Sequence, residues 1–174
     1  DILLNETYLY VADGAGGLRV INKDTSLLNE IGDFDSPGLA SGMDLIPATG
    51  GCYVFLADFN GMQVITAIDE AHPTAMVSYF SPALPARVAV SGDYAYLADR
   101  MQGLRIVSAA NPALPTLVGS RPTPGIAYDV SVRDDLAYLA VGKAGLRVVD
   151  VIDPSAPGEV YSATVDTAGD AVAV

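Results

Sequence analysis

The sequence holds few residues of the kind that carry reactive chemistry. Its 174 residues include one cysteine, Cys52, one histidine, His72, and no tryptophan. A single cysteine excludes an internal disulfide and a cysteine-based metal cage, and a single histidine leaves Ser-His-Asp and His-rich zinc arrangements without support. We expect Cys52 to be a buried small apolar side chain and His72, which precedes Pro73, to be an exposed turn residue.

Positive charge and long apolar runs are also scarce. The chain has 9 Lys and Arg against 21 Asp and Glu, so its net charge is −12. Phosphate binding needs clustered cations, and so does docking on an anionic membrane, so we expect neither nucleic acid nor a membrane surface as a partner. No apolar run approaches the ~20 residues of a membrane span. The first residues lack a basic region and a cleavage site, and we expect a trimmed product or a piece of a longer protein.

What the sequence does have is a repeat punctuated by glycine and proline. Similar segments lie at 10–21, 55–65, 96–107 and 138–149. Short strands repeated with a period of about 40–45 residues are typical of β-propeller blades. The glycines that align across the four segments are 44, 42 and 42 residues apart, and they are Gly17, Gly61, Gly103 and Gly145.

Each unit contains four short strands, predicted in the third unit at 87–90, 94–98, 104–107 and 116–119. Those in the fourth unit are predicted at 129–132, 136–139, 146–149 and 159–161. Several strands are apolar on both faces, which predicts that both faces of each sheet are covered. No amphipathic stretch of the 10–15 residues that a parallel α/β sheet needs is present.

The predicted fold class is therefore all-β, with four four-stranded antiparallel propeller blades in one region, 1–174, that is part of a larger ring. We expect further blades of a longer propeller, or a second copy of the chain, to complete that ring. The predicted repeats are 2–42, 43–86, 87–128 and 129–171, and 172–174 starts a further blade.

The third unit resembles the LVIVD repeat in the segments Val-Ala-Val-Ser-Gly-Asp-Tyr-Ala-Tyr-Leu-Ala-Asp (88–99), Gly-Leu-Arg-Ile-Val (103–107) and Asn-Pro-Ala-Leu-Pro (111–115). The first two units depart from this pattern in the proline-containing turn, and the fourth has Val141 where the others have Asp. The resemblance implies a propeller region of a bacterial or archaeal surface or secreted protein. The motif specifies a blade and carries no catalytic residue, so the resemblance implies fold and location without an activity.

Several polar and aromatic residues recur at one position of the repeat, which favours structural roles. The acids that end the second strand of three units are expected to form turns. The cations in the third strand, with Gln63 in the second unit, are expected to pair with an acid of a neighbouring blade. The aromatic residues of the second strand are expected in the core between blades. The three sets are Asp13, Asp58 and Asp99; Arg19, Arg105 and Arg147; and Tyr10, Phe55, Tyr96 and Tyr138.

Carboxylates at the start of the innermost strand form the candidate metal site. Asp1, Asp44 and Asp129 lie at or near this position, where the third unit has Arg87. Innermost strands surround the central channel of a propeller, so Asp44 and Asp129 are the candidate ligands for a calcium-type ion, which prefers oxygen donors. The alternative is that these carboxylates cap the first turn. With a metal, the chain would be a hydrolase or lyase.

The leading hypothesis is a non-enzymatic binding or scaffold module of an extracellular or cell-surface protein, without a cofactor. Its loops would contact a protein or a glycan. Functional residues tend to break a repeat, and this one is broken at 29–41, 49–52 and 72–80, with isolated substitutions at Arg121 and Lys143. A structural, self-associating subunit of a surface assembly is a third hypothesis. The candidate binding residues are Phe34, Phe59, His72, Tyr79 and Arg87.

Overall fold

The computed structural model describes residues 1–23 and 28–164, and this part of the chain forms sixteen strands in four antiparallel sheets. Blade 1 consists of β1 (Ile2–Leu4), β2 (Tyr8–Ala12), β3 (Leu18–Asn22) and β4 (Asn29–Phe34). Blade 2 consists of β5 (Gly42–Ala48), β6 (Gly51–Ala57), β7 (Gly61–Ala67) and β8 (Thr74–Phe80). Blade 3 consists of β9 (Arg87–Ser91), β10 (Tyr94–Asp99), β11 (Gly103–Ser108) and β12 (Thr116–Arg121). Blade 4 consists of β13 (Asp129–Arg133), β14 (Leu136–Ala140), β15 (Leu146–Asp150) and β16 (Gly158–Ala163).

Every blade is an up-and-down meander whose strands pair in the order of the chain. The first strands of successive blades lie side by side, with β9 between β5 and β13. The predicted all-β fold of four-stranded antiparallel blades is confirmed, and the helical content of the described residues is one 3-10 turn, Gly142–Ala144. Among these residues, none forms a helix that is long and apolar enough to cross a membrane. The strand predicted at 172–174 lies outside the described residues.

The apolar core consists of three clusters, each between two successive blades. We call the side of a blade that meets the next blade its forward face and the side that meets the preceding blade its backward face. The two faces come from alternate residues of each strand, because side chains alternate across a sheet. Forward faces are built from Tyr10, Ala12, Leu18 and Val20 in blade 1, Phe55, Ala57, Met62 and Val64 in blade 2, and Tyr96, Ala98, Leu104 and Ile106 in blade 3. Backward faces are built from Met43, Val54, Leu56 and Ile65 in blade 2, Val88, Ala95, Leu97 and Val107 in blade 3, and Val130, Ala137, Leu139 and Val149 in blade 4.

The aromatic repeat position shows how these clusters form. Tyr10, Phe55 and Tyr96 are at most 4% exposed, each in the forward face of its blade. The predicted place of these three residues between blades is confirmed. Cys52 is buried in the first cluster, also as predicted.

The repeated glycine has a steric cause inside each blade. Gly103 has φ +77°, a region that L side chains rarely adopt. A Cβ there would lie 2.5 Å from the carbonyl oxygen of Arg121 on the neighbouring strand. The tight turn between the second and third strands therefore requires glycine at this position.

A bulge in the fourth strand of each blade also repeats. The pairing of the third and fourth strands shifts by one residue at the same place in all four sheets. Such a bulge bends the strand and increases its twist. The extra residues on the fourth strands are Ile31, Met76, Val118 and Val160.

Candidate functional site

In blades 1 to 3, the repeated acid pairs with the residue at the cation position of the same blade. Arg105 Nε lies 3.3 Å from Asp99 Oδ2 in blade 3, and Arg19 Nε lies 3.8 Å from Asp13 Oδ2 in blade 1. In blade 2, Gln63 Nε2 donates a hydrogen bond of 3.0 Å to Asp58 Oδ2. The expectation that these cations pair with an acid of a neighbouring blade is therefore wrong. The third strand lies beside the second in the same sheet, so the two residues meet directly.

Blade 4 shows what happens when the acid of this pair is absent. Val141 stands at its position and is fully buried. Arg147 instead lies 3.5 Å from Glu159 on β16, again in the same blade. The cation is kept and takes its partner from the opposite neighbouring strand.

The acid–arginine pair in blade 3 is far more deeply buried than the one in blade 1. Asp99 is fully buried, and its Oδ2 also accepts a hydrogen bond from Ser81 in the connection from blade 2. Arg105 donates a hydrogen bond of 2.9 Å to the hydroxyl of Tyr79, on the fourth strand of blade 2. Burial raises the pKa of Asp99, against the hydrogen bond from Ser81 and the charge of Arg105, which lower it. This network joins blades 2 and 3.

At the inner ends of the blades, Arg87 bridges two carboxylates. Its Nη1 lies 2.9 Å from Asp1 Oδ1 and its Nε lies 3.4 Å from Asp129 Oδ1. The residue of blade 2 in the same register is Gly42, where a Cβ would lie 2.7 Å from Arg87 Cδ. The missing side chain leaves room for the arginine to reach from blade 3 to blade 1.

The two candidate metal ligands both accept backbone hydrogen bonds at their own strands. Asp44 Oδ1 accepts from Leu45 N at 2.8 Å, and its Oδ2 accepts from Val90 N of blade 3 at 2.6 Å. Asp129 Oδ1 accepts from Val130 N at 2.9 Å. Burial raises the pKa of Asp44, opposed by these hydrogen bonds and the charge of Arg87. Within residues 1–23 and 28–164, no three His, Cys, Asp or Glu side chains group in a way that could hold a metal ion.

The structure does not bring the candidate binding residues together on one surface. Phe34 ends β4 and packs on the core cluster between blades 1 and 2, and Tyr79 lies in β8 against the cluster between blades 2 and 3. His72 is exposed in the turn between β7 and β8, where its Nδ1 lies 2.9 Å from Asp69 Oδ2. Phe59 lies in the turn between β6 and β7, at the opposite end of the blade. Arg87 is the bridging residue described above.

One end of the blades carries features that the sequence patterns did not indicate. We call this end the loop face; it consists of the turns between second and third strands and the connections that lead into the next blade. Leu39, Leu84 and Ile126 lie in three successive connections and are 37–51% exposed. Met101, in a turn of blade 3, is 73% exposed. Exposed apolar residues also occur at the opposite end, so they do not distinguish the loop face by themselves.

A stacked arginine distinguishes it, together with three of the four non-glycine residues of positive φ in the described chain; the fourth is Asp134, at the opposite end. Phe59, Leu84 and Arg100 have φ values of 59°, 64° and 31°, in a region that non-glycine residues rarely adopt. The guanidinium of Arg100 lies 4.4 Å from the ring centre of Phe59 and 6.0 Å from that of Tyr128, within cation–π range. Residues from blade 2, blade 3 and the connection to blade 4 are thereby held together.

Beside this stack the loop face has a groove of about 300 Å³. It is lined by residues of the connection between blades 3 and 4 and of the 3-10 turn, among them Ile126, Tyr128 and Lys143. Phe59 was a candidate binding residue and Lys143 an isolated break in the repeat. Exposed connection residues such as Leu84 were missed, because an apolar residue in a repeat is ordinarily assigned to the core.

Comparison with known proteins identifies the repeat. The LVIVD repeat model matches residues 1–34, 86–123 and 124–165. Curated protein sequences give no match.

Among solved structures, a functionally unknown protein from Desulfotomaculum acetoxidans superposes with a TM-score of 0.77 at 11% identity, over 97% of this chain and 56% of that one. The computationally designed Ika8 protein superposes with a TM-score of 0.69 at 8% identity, over 95% of this chain and 50% of that one. These likenesses concern the fold alone, and this chain spans about half the length of each of those two proteins. The chain belongs to the LVIVD repeat family.

Proposed function

We propose that this chain is a non-enzymatic binding module of an extracellular or cell-surface protein and that its loop face contacts a protein partner. The observation that carries the proposal is the strained loop face. Phe59, Leu84 and Arg100 hold unfavourable backbone conformations, and each such residue costs on the order of 1–3 kcal/mol. Strain of this kind is concentrated at sites where a fixed loop geometry serves binding.

The composition of the loop face favours a protein over a glycan as the partner. Its exposed side chains include the large apolar ones of Leu39, Leu84 and Met101. Its two aromatic rings, Phe59 and Tyr128, are stacked with Arg100. Protein interfaces are enriched in aromatic residues, methionine and arginine and depleted in other charged residues. The extracellular location rests on the resemblance to the LVIVD repeat, whose propellers lie in surface or secreted proteins.

A pull-down from a cell-surface extract of the source organism tests the proposal. The bait is the chain itself, compared with Leu84→Ser and Met101→Ser, which remove exposed apolar groups from the loop face. Leu114→Ser is the matched control, because Leu114 lies in a turn at the opposite end and its exposed fraction is between those of Leu84 and Met101. We expect a partner to be retained by the wild type and the control and lost from both loop-face variants. Equal retention by all four baits would exclude the loop face.

The competing hypothesis, a metal-assisted hydrolase or lyase, uses the channel carboxylates. In the structure the guanidinium of Arg87 is the cation next to Asp1 and Asp129, which supports a structural role for these acids. A ligand that binds only the native state raises the melting temperature. We expect calcium to change the melting temperature no more than sodium chloride of equal ionic strength. A specific rise that Asp44→Asn abolishes would favour the metal hypothesis.

A further inference from the structure

The backward face of blade 1 has the composition of a buried interface but faces solvent. Ile2 is 59% exposed, whereas the residues in the same register of the other blades, Met43, Val88 and Val130, are at most 3% exposed. Leu9, Val11 and Ile21 are half-buried at positions whose equivalents are fully buried in blades 2 to 4. This surface is apolar because the repeat makes it so, and among the described residues no blade covers it.

Within residues 1–23 and 28–164, no blade covers the forward face of blade 4 either. Tyr138 and Leu146 are half-buried. The residues that occupy their positions in blades 1 to 3 are at most 4% exposed. These equivalents are Tyr10, Phe55 and Tyr96 for the tyrosine and Leu18, Met62 and Leu104 for the leucine.

The two open faces are complementary, because each internal interface joins one forward face to one backward face. A forward face supplies an aromatic ring, an alanine and two aliphatic side chains, and blade 4 has Tyr138, Ala140, Leu146 and Val148 at these positions. We propose that a second copy of this chain covers both open faces, blade 4 of each copy packing on blade 1 of the other, so that two copies close one eight-bladed ring. This inference does not depend on the proposed function of the loop face.

The polar contacts between inner strands fit the same junction. Asp1 Oδ2 accepts a hydrogen bond from Met43 N. Met43 lies on the first strand of the next blade, one position after Gly42, the residue in the register of Asp1. Asp44 Oδ2 bonds Val90 N in the same relation between blades 2 and 3. Asp129 occupies the register of Asp1, so its Oδ2 is placed to accept from Ile2 N of the second copy.

The inner strands of the first three blades follow one arc. Arg87 spans from blade 3 to Asp1 of blade 1, so these strands curve toward a common centre. A second four-bladed arc offers one forward and one backward face and can cover both open faces at once, whereas a single added blade would leave two apolar faces open.

Sedimentation equilibrium of the 174-residue chain tests the stoichiometry. We expect a mass of about 36 kDa, twice the 18.0 kDa of one chain. Each copy carries a net charge of −12, and salt screens the repulsion between two such copies, so dimer formation should strengthen with ionic strength. A monomer at all protein and salt concentrations would overturn the proposal, and so would an open series of larger oligomers.

Two variants test the head-to-tail arrangement. Val11→Lys places a charge in the backward face of blade 1, and Leu146→Lys places one in the forward face of blade 4. In a dimer of either variant, each of the two junctions would contain one altered face. Each variant alone should therefore be monomeric. Leu114→Lys, a lysine at an exposed turn outside both faces, should remain dimeric.

Mixing the two variants gives the decisive result. In the mixed pair one junction combines both altered faces, while the other combines two wild-type faces. We expect the mixture to recover a dimer, with far-ultraviolet circular dichroism confirming that both variants are folded. If the mixture stays monomeric while the wild type is dimeric, or if either variant alone is fully dimeric, the two copies do not join in this arrangement.

Discussion

Blades 1 and 3 carry the same acid and the same arginine at equivalent positions, but the two pairs lie in different surroundings. In blade 3, the side chains of Asp99 and Arg105 are 0% and 14% exposed. In blade 1, those of Asp13 and Arg19 are 62% and 25% exposed. The repeat therefore determines which residues meet, while the neighbouring blade determines how far their contact is removed from water.

The consequence is a difference in the number and kind of partners. In blade 3, Tyr79 of blade 2 and Ser81 of the connection from blade 2 both form hydrogen bonds with the buried pair. Arg19 of blade 1 instead lies within 4.0 Å of four exposed carboxylates. These belong to Asp13, Glu30, Asp33 and Asp35.

The largest contrast should appear when the arginines are removed. Arg105→Met leaves the buried carboxylate of Asp99 without its cation, and breaking a buried pair costs about 3–5 kcal/mol. Arg19→Met breaks contacts that water and salt already screen, for about 0–1 kcal/mol. Urea unfolding at neutral pH measures both free energies of unfolding.

A second substitution separates the lost cation from lost packing. Adding Asp99→Asn to Arg105→Met removes the uncompensated charge, so the double variant should be more stable than Arg105→Met alone. Equal losses for Arg105→Met and Arg19→Met would show that burial between blades does not govern these pairs.

Apolar residues should show the same contrast on a smaller scale. Leu97 is fully buried in the backward face of blade 3, and Leu97→Ala should cost about 2–5 kcal/mol. Val11 is its equivalent in the half-exposed backward face of blade 1, and for a monomeric chain Val11→Ala should cost about 1 kcal/mol. The comparison is made at low salt and low protein concentration. A loss at Val11 as large as that at Leu97 would mean that this face is already covered.

A steric test lies on the outer strands of blades 3 and 4. A Cβ at Gly119 would overlap the backbone carbonyl of Pro154 in blade 4, so Gly119→Ala should cost about 1–3 kcal/mol. Gly158 has nothing within 4 Å of its Cβ position, and Gly158→Ala should be neutral or slightly stabilising. Thermal unfolding distinguishes the two. A neutral Gly119→Ala would mean that blades 3 and 4 are further apart than the structure has them.

The fold could be predicted in detail because each of its determinants recurs. Strands equivalent to β10 are apolar on both faces in several blades, and the glycines equivalent to Gly103 follow one another at 42 to 44 residues. The period of the repeat and the covering of both sheet faces could therefore be predicted. Repetition also explains the error about the arginines. The recurrence of an arginine at this position indicates that Arg105 has a structural role. Because the acid recurs as well, the repeat cannot show whether the arginine pairs with the acid on the adjacent strand or with the one on the adjacent blade.

The loop face could not be predicted for a different reason. Positive φ values at Phe59, Leu84 and Arg100 have no sequence signal, since glycine is the residue that ordinarily indicates this conformation. The bridge from Arg87 to Asp1 joins residues of blades 1 and 3 and depends on the curvature of the arc. The candidate binding residues were therefore distributed over blades 1 to 3 and over both ends of blade 2.

The smallest effect is expected at Asp44, where the contact between blades 2 and 3 can be titrated. Burial places the pKa of Asp44 above its unfolded value in spite of the hydrogen bonds from Leu45 N and Val90 N. Above the folded pKa the carboxylate is ionised in both states, so its burial as a charged group lowers the stability of the wild type. As the pH falls through the folded pKa, the native state takes up the proton first, and the stability contributed by this residue rises. It is fully present below the unfolded value of about 3.9.

Asp44→Asn has no charge to titrate at this position. Acidification should therefore raise the free energy of unfolding of the wild type relative to that of the variant. Because the site is partly open to solvent, the change should be less than about 1 kcal/mol between pH 7 and 4. Urea unfolding of both proteins at several pH values measures it, and Asp129→Asn, on the open side of blade 4, is the matched comparison. A difference that stays constant, or that moves in favour of Asp44→Asn on acidification, would show that the neighbouring strand stabilises the ionised carboxylate more than burial penalises it.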